Sequence, residues 1–455
     1  MSTYDLLLRG GTLVAPEGLR VADLAVDGGR IVAIGPDLEG TANESINAAD
    51  LHVFPGVIDA HVHFNEPGRT EWEGFATGSR ALAVGGGTLC FDMPLNAHPP
   101  TVSAEAFDQK RAAAEASSIV DFALWGGLVP GNQEALEPLA ARGVIGFKAF
   151  MSNSGIDDFA AVDDDTLFQG MRIAAMLGRI VAVHAENDAI TSGLARRAMA
   201  EGRRGVRDYL ASRPVIAELE AINRAITLAA EAGCPLHIVH VSSGRGVALV
   251  AEARARGVDV SCETCPHYLV LTEDDVERLG AMAKCAPPLR RQVEVEALWE
   301  HLRSGALPMV ASDHSPAPAS MKEGDDFFRV WGGISGCQHL LSLLLAEGHH
   351  ERGIALSTVS RVTSGFVAER FGLAPDRGTL AVGASADLAL VDLAATFTIS
   401  HGDLQYRHRH SPYVGREVRG RVSRTLVRGI TVQRDGVCID RAVGRLGATG
   451  TCRKC

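Results

Sequence analysis

The chain has 455 residues, of which 46% are hydrophobic and 22% charged, and its formal net charge is −11. This length predicts one large and one smaller domain, and the acidic balance argues against non-specific nucleic-acid binding, which needs a basic surface. No apolar run approaches the ~18 residues of a membrane span, and the N-terminus lacks a secretory pattern. The nine cysteines are an odd, scattered set, typical of reduced thiols. We therefore expect a cytoplasmic protein with a small-molecule substrate and no nucleic-acid or membrane partner.

A central block of alternating elements lies between two β-rich ends. Residues 1–54 contain short strand-like runs separated by Gly-Gly and Asp-Gly pairs, as in hairpins. Similar runs return over residues 375–445, so the two ends predict one small β-sandwich. Residues 55–374 alternate strand-like and helix-like runs and predict a single barrel domain. Residues 446–455 have little apolar content and predict a mobile tail.

Eight runs in the central block are apolar enough to form strands buried on both faces. They are residues 54–63, 87–93, 119–128, 143–150, 179–185, 235–241, 257–264 and 307–313. Helical patterns lie between them, and Gly ends several of these patterns. Eight β/α repeats in ~250 residues match an α/β fold, the (β/α)8 TIM barrel. A doubly wound open sheet is the alternative.

Six side chains of metal-binding character lie at or near the C-terminal ends of five of these runs. They are His61, His63, Lys148, His184, His240 and Asp313. His61 and His63 are two apart, so on a strand they face the same side. A lone His-x-His pair is more often core or surface, but candidates on runs one, four, five, six and eight meet only in a closed ring. The pattern therefore favours the barrel, whose C-terminal rim carries catalytic groups, and indicates metal-assisted hydrolysis.

Lys148 and Asp313 need separate arguments. An ammonium group has no lone pair and cannot bind a metal. If CO2 adds to the neutral amine of Lys148, the resulting carbamate is a carboxylate on a long stem that can bridge two cations. Asp313 can bind a metal and also take a proton from a water molecule, so we predict it to be the catalytic residue.

Neighbouring residues are assigned supporting or structural roles. Asp59 is expected to orient an imidazole from behind. His237 is three residues from His240, so it should face the opposite side and pack among the helices. His314 should point away from Asp313.

Two cysteine pairs have redox or zinc spacing. Cys262-x-x-Cys265 lies in the seventh run and is interpreted as strand core. Cys452-x-x-Cys455 lies in the predicted tail.

Several longer motifs resemble those of a known family. They are HVHFNEPGRTEWEGF (61–75), DMPLNAHPPT (92–101), GFKAFM (146–151), KCAPPLR (284–290), SDHSP (312–316) and WGGISG (331–336). On these residues the chain resembles the cyclic amidohydrolases, which include hydantoinases, dihydropyrimidinases and dihydroorotases, and within them the enzymes that hydrolyse allantoin to allantoate. The resemblance implies a (β/α)8 barrel with a small β-sandwich, two divalent metals (usually zinc) and a homo-oligomer, often a tetramer.

The resemblance also implies an assignment of the ligands. The more buried metal takes His61, His63 and Asp313. The more exposed metal takes His184 and His240. Carboxylated Lys148 bridges the two.

Departures from the relatives narrow the substrate. Dihydroorotases follow the His-x-His pair with x-Arg, which grips a substrate carboxylate, whereas this chain has Asn65, so an anionic ring is disfavoured. Hydantoinases and dihydropyrimidinases use a tyrosine just after the lysine strand, and the stretch MSNSGIDDF has none. Hydantoinase or dihydropyrimidinase activity on related rings stays the alternative to allantoin hydrolysis. Ala317 stands where similar enzymes often have cysteine. The candidate substrate contacts are Asn65, Asn96, Asn153, Ser154, Cys285 and Ser315.

Overall fold

The N-terminal part of the chain forms five strands. The computed structural model describes residues 3–447. The strands are β1 (Thr3–Ala15), β2 (Gly18–Asp27), β3 (Arg30–Gly35), β4 (Thr41–Asn47) and β5 (His52–Pro55). The pairing of β1 with β2 shifts register between Leu8 and Gly11, where Gly10 has a φ of 65° that glycine adopts without steric cost. The Gly-rich hairpin pattern of the sequence thus corresponds to a real bulge.

The barrel strands follow in two parallel sheets. They are β6 (Val57–Val62), β7 (Gly87–Asp92), β8 (Asp121–Leu124), β9 (Gly126–Gly127), β10 (Gly146–Phe150), β11 (Ile180–His184), β12 (Leu236–Ile238) and β13 (Val260–Cys262). The sheets β6-β7-β8 and β9-β10-β11-β12-β13 meet at Trp125, between β8 and β9. Its backbone N–H donates to the Asp92 carbonyl on β7.

The eighth strand position is held by isolated bridges rather than a continuous ladder. Val310 bridges Thr264 just after β13, and His314 bridges Val62 of β6, which closes the ring. The Ser312 backbone N–H donates to the Asp59 side chain at 3.0 Å instead of to a strand. The predicted run 307–313 therefore occupies the expected place, but a side chain replaces part of its ladder.

Strand alternation separates the interior of the barrel from the layer against the helices. On β10, Phe147 and Ala149 pack outward in one hydrophobic cluster, while Phe150 belongs to a second cluster with interior residues such as Trp125 and Ala182. Lys148 is between Phe147 and Ala149 and therefore points inward, fully buried. The ligand candidates thus project into the interior near its C-terminal rim.

Fourteen α-helices are described between residues 3 and 447, and several of them begin at a capping side chain. They are α1 (Phe75–Val84), α2 (Ala104–Ser117), α3 (Leu136–Arg142), α4 (Asp164–Met176), α5 (Asp188–Ala200), α6 (Val206–Ser212), α7 (Val215–Ala232), α8 (Gly244–Ala255), α9 (Pro266–Val270), α10 (Glu273–Leu279), α11 (Gln292–Ser304), α12 (Leu340–Leu343), α13 (Leu356–Ser360) and α14 (Phe366–Arg370). The side chains of Ser103, Asp163 and Asn187 cap α2, α4 and α5. Over the described residues, no helix combines the length and apolarity needed to cross a membrane.

The C-terminal strands complete the sheet begun by the N-terminus. They are β14 (Leu388–Thr398), β15 (Glu417–Val427), β16 (Ile430–Arg434) and β17 (Val437–Cys438). β14 pairs antiparallel with β5, so both ends of the chain share one nine-stranded sheet. Leu8, Leu24, Leu388 and Leu426 belong to one buried cluster within it, which forms the core of the small β-sandwich.

The end of the described chain returns to the barrel. Leu446 bridges Phe122 of β8, and the Gly447 N–H donates to the Phe122 carbonyl. The rest of the tail predicted for 446–455, including Cys452 and Cys455, lies outside the described residues.

Candidate metal centre

Two groups of donor atoms face each other at the barrel rim. In the first, His61 Nε2 and His63 Nε2 lie 3.2 and 3.4 Å from Asp313 Oδ1, and these three residues are close enough together to hold one ion. In the second, His184 Nδ1 is 3.1 Å from His240 Nε2. The rings of His61 and His240 are 5.4 Å apart. The structure therefore brings five of the six predicted ligands together as two adjacent donor sets.

Irregular backbone aims these side chains. The pairing of β6 with β7 places Asp59 opposite Cys90 and Val62 opposite Asp92, so β6 has one extra residue in the span that contains His61 and precedes His63. Such a bulge re-aims the side chains that follow it. His240 and Asp313 have φ values of 40° and 45°, a region that non-glycine residues adopt only where the surroundings impose it.

The prediction for His237 was wrong. His237 Nε2 lies 3.1 Å from Glu263 Oε2, and its Nδ1 lies 2.8 Å from Ser261 Oγ. Because the left-handed backbone at His240 interrupts the alternation, both histidines face the interior rather than opposite sides. His237 thus supports the site from below.

Glu263, which sequence reasoning missed, has the role that we predicted for Asp59. Glu263 Oε1 is 2.6 Å from His61 Nδ1, which fixes the imidazole with Nε2 toward Asp313. Asp59 instead accepts from the backbone N–H groups of His61 and Ser312. Burial raises its pKa to about 6. The only sequence signal for Glu263 is an acidic residue within an apolar run.

A second acid orients the other donor set. His184 Nε2 lies 2.8 Å from Glu186 Oε2, which leaves Nδ1 directed toward His240. Arg213 donates to the same oxygen at 2.5 Å. Although burial alone would raise the pKa of Glu186, the charge of Arg213 and the bond from His184 hold it well below its usual range. Glu186 therefore stays ionised.

The protonation of the imidazoles suits cation binding. Burial lowers the pKa of His63, His184 and His240, so their ring nitrogens keep lone pairs at neutral pH. Burial also lowers the pKa of His61, but Asp313 and Glu263 outweigh it and the net shift is upward. The site thus attracts positive charge next to Asp313, where a metal ion could replace the proton.

Lys148 is close enough to both donor sets for its charge to act on them, and it makes no ion pair with any described residue. Its ammonium donates to the Ala149 carbonyl at 3.0 Å and lies 3.7 Å from the centre of the Phe150 ring. Burial holds the pKa of Lys148 well below its usual range. Its charge also lowers the pKa of His184 and His240. A neutral amine at this point can accept CO2, as the predicted modification requires.

His314 lies away from the ligands, as its predicted orientation requires. Its Nδ1 accepts from the Gly336 N–H at 3.2 Å. Its ring packs against Tyr406, with the centroids 4.9 Å apart, and its Nε2 is 3.6 Å from Glu73. This side chain joins the strand to the layer outside the barrel.

The donor sets open into a cleft of about 520 Å³. Five of the predicted substrate contacts line it: Asn96, Asn153, Ser154, Cys285 and Ser315. Asn65 lies behind the wall, where its Oδ1 accepts from Asn96 at 3.4 Å and its Nδ2 donates to the Pro316 carbonyl. Burial raises the pKa of the Cys285 thiol to about 12, so this cysteine is neutral.

The sequence did not indicate other residues of the cleft. Tyr209, Arg213, Lys284 and Trp331 also line it. The Tyr209 hydroxyl donates to the Cys285 carbonyl at 2.9 Å, and the Lys284 ammonium donates to the Val330 carbonyl at 2.6 Å. Both groups therefore already make hydrogen bonds within the wall of the cleft.

A (β/α)8 barrel with two imidazole donor sets at its rim, one of which includes the Asp313 carboxylate, is typical of a metal-dependent hydrolase. The sequence matches the model of the amidohydrolase family over residues 52–432. The chain belongs to this family, whose members have a binuclear metal centre.

Individual relatives cover nearly the whole chain. The allantoinase of Rubrobacter xylanophilus is 61% identical over 445 residues, 98% of each chain. The allantoinase of Solibacter usitatus is 58% identical over 94% of this chain and 93% of its own. Among solved structures, the L-hydantoinase (dihydropyrimidinase) of Arthrobacter aurescens has a TM-score of 0.95 at 36% identity, covering 97% of this chain and 99% of its own.

Proposed function

We propose that this protein hydrolyses the cyclic amide bond of allantoin to give allantoate, using two divalent cations. The observation that carries the choice of substrate is the 61% identity to an allantoinase over 98% of both chains. The two converging donor sets support the reaction type, because paired cations stabilise both the attacking and the leaving atoms of a hydrolysis.

We infer that the two cations are zinc. Imidazole nitrogen and carboxylate oxygen are ligands that zinc accepts, and each donor set leaves positions for further ligands. His61, His63 and Asp313 would hold one ion, and His184 and His240 the other. The facing ring nitrogens of the second pair, 3.1 Å apart, support this assignment.

Lys148 would join the two ions as a carbamate. Its amine nitrogen attacks the carbon of CO2 and loses one proton, which leaves a negatively charged carboxylate at the end of the side chain. The buried position of Lys148, its single hydrogen bond and its lack of an acidic partner in the described chain support this step. The carboxylate would place a negative charge where the unmodified amine offers none.

When bound, the cations supply Lewis acidity and lower the pKa of water. The remaining steps belong to residues of the chain. His61 and His63 hold the pKa of Asp313 well below its usual range, against the effect of burial. Its ionised carboxylate therefore accepts the proton of the attacking water and delivers it to the ring nitrogen as the C–N bond breaks. One water is consumed, and one carboxylate and one N–H group form.

The polar wall of the cleft suits an uncharged ring rich in amides. Asn96, Asn153 and Ser315 present donors and acceptors toward the cleft, which complement ring N–H and C=O groups. Asn65 would act indirectly, since its side chain contacts Asn96. The Ser154 hydroxyl already donates to the Phe159 carbonyl at 2.6 Å, so it would serve as an acceptor.

Hydantoin hydrolysis is the second candidate, because solved structures similar to this chain include hydantoinases. A panel of allantoin, hydantoin and dihydrouracil separates the two when kcat/KM is measured with the metal-loaded enzyme. We expect allantoin to have the highest value and chelated enzyme to have none. A higher value for hydantoin or dihydrouracil would replace the proposed substrate, and full activity of verified metal-free protein would refute the mechanism. The homotetramer and the cytoplasmic location stay predictions.

A further inference from the structure

A second cluster of metal-binding side chains lies beside Asp313. Cys265 and His267 follow β13 at the start of α9, just after Thr264, which bridges the segment that ends at Asp313. Ligand atoms of Cys265, His267 and Asp313 all lie within 4.8 Å of one another. Cys265 and His267 are fully buried, and Asp313 is 9% exposed. Neither Cys265 nor His267 takes part in the hydrolysis proposed above.

His267 is the unusual member of this cluster. Neither of its ring nitrogens makes a hydrogen bond to a described residue, although both are buried. Its ring contacts Tyr268, with the centroids 4.3 Å apart. Buried polar groups normally have partners because an unpaired one loses its hydration without compensation. The unpaired imidazole, the nearby thiol and the carboxylate together form a set of three donors that could hold a metal ion.

We propose that Cys265, His267 and Asp313 form a third cation site that binds zinc-like ions and inhibits the enzyme. Thiolate, imidazole and carboxylate together favour zinc or cadmium, whereas magnesium prefers oxygen ligands alone. As the metal–sulfur bond forms, the Cys265 thiol releases its proton to solvent. The site shares only Asp313 with the first catalytic donor set and no residue with the second.

The position of Asp313 explains why occupation would inhibit. Asp313 lines the catalytic cleft, whereas Cys265 and His267 are fully buried and do not line it, so we infer that an ion reaches the cluster past Asp313. A cation held there neutralises the carboxylate that accepts the proton. The inhibition rests on the proposed role of Asp313, whereas the binding of a third ion does not.

Metal content and the cobalt spectrum test the site independently of turnover. Protein loaded with two equivalents of zinc is titrated with more zinc, exchanged into fresh buffer and analysed for bound metal. The parent should bind a third equivalent, and Cys265→Ser and His267→Gln should not. Cys337→Ser is the matched control, because Cys337 is also buried but belongs to neither donor group. Cobalt as the third ion should give a thiolate charge-transfer band in the parent itself, and magnesium should not bind.

The activity follows from the same titration. Turnover of the parent should fall at least tenfold as the third equivalent binds, while Cys265→Ser resists. A parent that binds only two ions, a third ion retained by both variants, or a cobalt complex without the thiolate band would overturn the site. A third ion that leaves turnover unchanged would overturn the inhibition. If allantoin is not the substrate, the metal counts and the spectrum still decide whether the site exists.

Discussion

Replacing Glu263 by glutamine should weaken the binding of one metal ion without disturbing the fold. Glu263 is buried and contacts two imidazoles, His61 at 2.6 Å and His237 at 3.1 Å. Glutamine has nearly the same shape, so its carbonyl can still accept from His61 while its amide group faces His237. The substitution removes mainly the negative charge, which makes His61 a poorer ligand.

The size of the effect follows from the position of Glu263 behind the ligand. Loss of such a partner typically weakens metal binding 10–100-fold, which corresponds to about 1.4–2.8 kcal/mol. Burial alone would raise the pKa of Glu263, but His61 and His237 lower it to about 2, so the charge is present at every pH at which the enzyme is assayed. The loss should therefore be nearly independent of pH above about 5.

Competition with a chelator measures the affinity of each ion. Glu263→Gln should release the ion of His61 and His63, whereas Glu186→Gln should release the ion of His184 and His240. Glu231→Gln, at an exposed position, is the control and should behave like the parent. The expected loss of affinity is about 10–100-fold. If Glu263→Gln binds each of the two ions with an affinity within about threefold of the parent, the charge of Glu263 does not strengthen metal binding.

Asp313→Asn should keep at least one metal ion while turnover falls ~10²–10⁴-fold, as expected for loss of a positioned base. Bound metal and turnover are measured on the same samples. A fall in turnover of only a few-fold with the metals retained would contradict the proton transfer by Asp313. Lys148→Ala should lose the metal pair and most activity, with partial rescue by a short carboxylic acid; metals retained without the acid would contradict the bridge. Burial lowers the pKa of His339 to about 4, and the unfolded chain takes up that proton near pH 6.5, so the parent should lose stability as the pH falls from about 6.5 to about 4. Over that pH window, the free energy of unfolding of His339→Leu should fall by up to about 3 kcal/mol less than that of the parent. Urea midpoints measured at both ends of the window would show this difference. Equal losses in the two proteins would mean that the imidazole of His339 is solvated in the folded parent.

Local patterns sufficed to predict the barrel and the donor side chains that converge at its rim. Apolar runs and period-two alternation depend on neighbours in sequence, so they placed His61, His63, Lys148, His184 and Asp313 at strand ends. The same reasoning failed at His237, where alternation was extended through a backbone irregularity that no local pattern marks.

Tertiary structure alone decided which groups support those ligands. Glu263 meets His61 across 202 residues of sequence, and Arg213, at the end of α6, meets Glu186 across 27 residues. The bulge in β6 and the left-handed backbone at Asp313 likewise depend on the neighbouring strands. The sequence by itself determined which side chains can bind metal, because their position at strand ends is a local property of the chain. Closure of the barrel decided which acidic and polar groups contact each of these side chains, because those contacts join segments that only the folded barrel brings together.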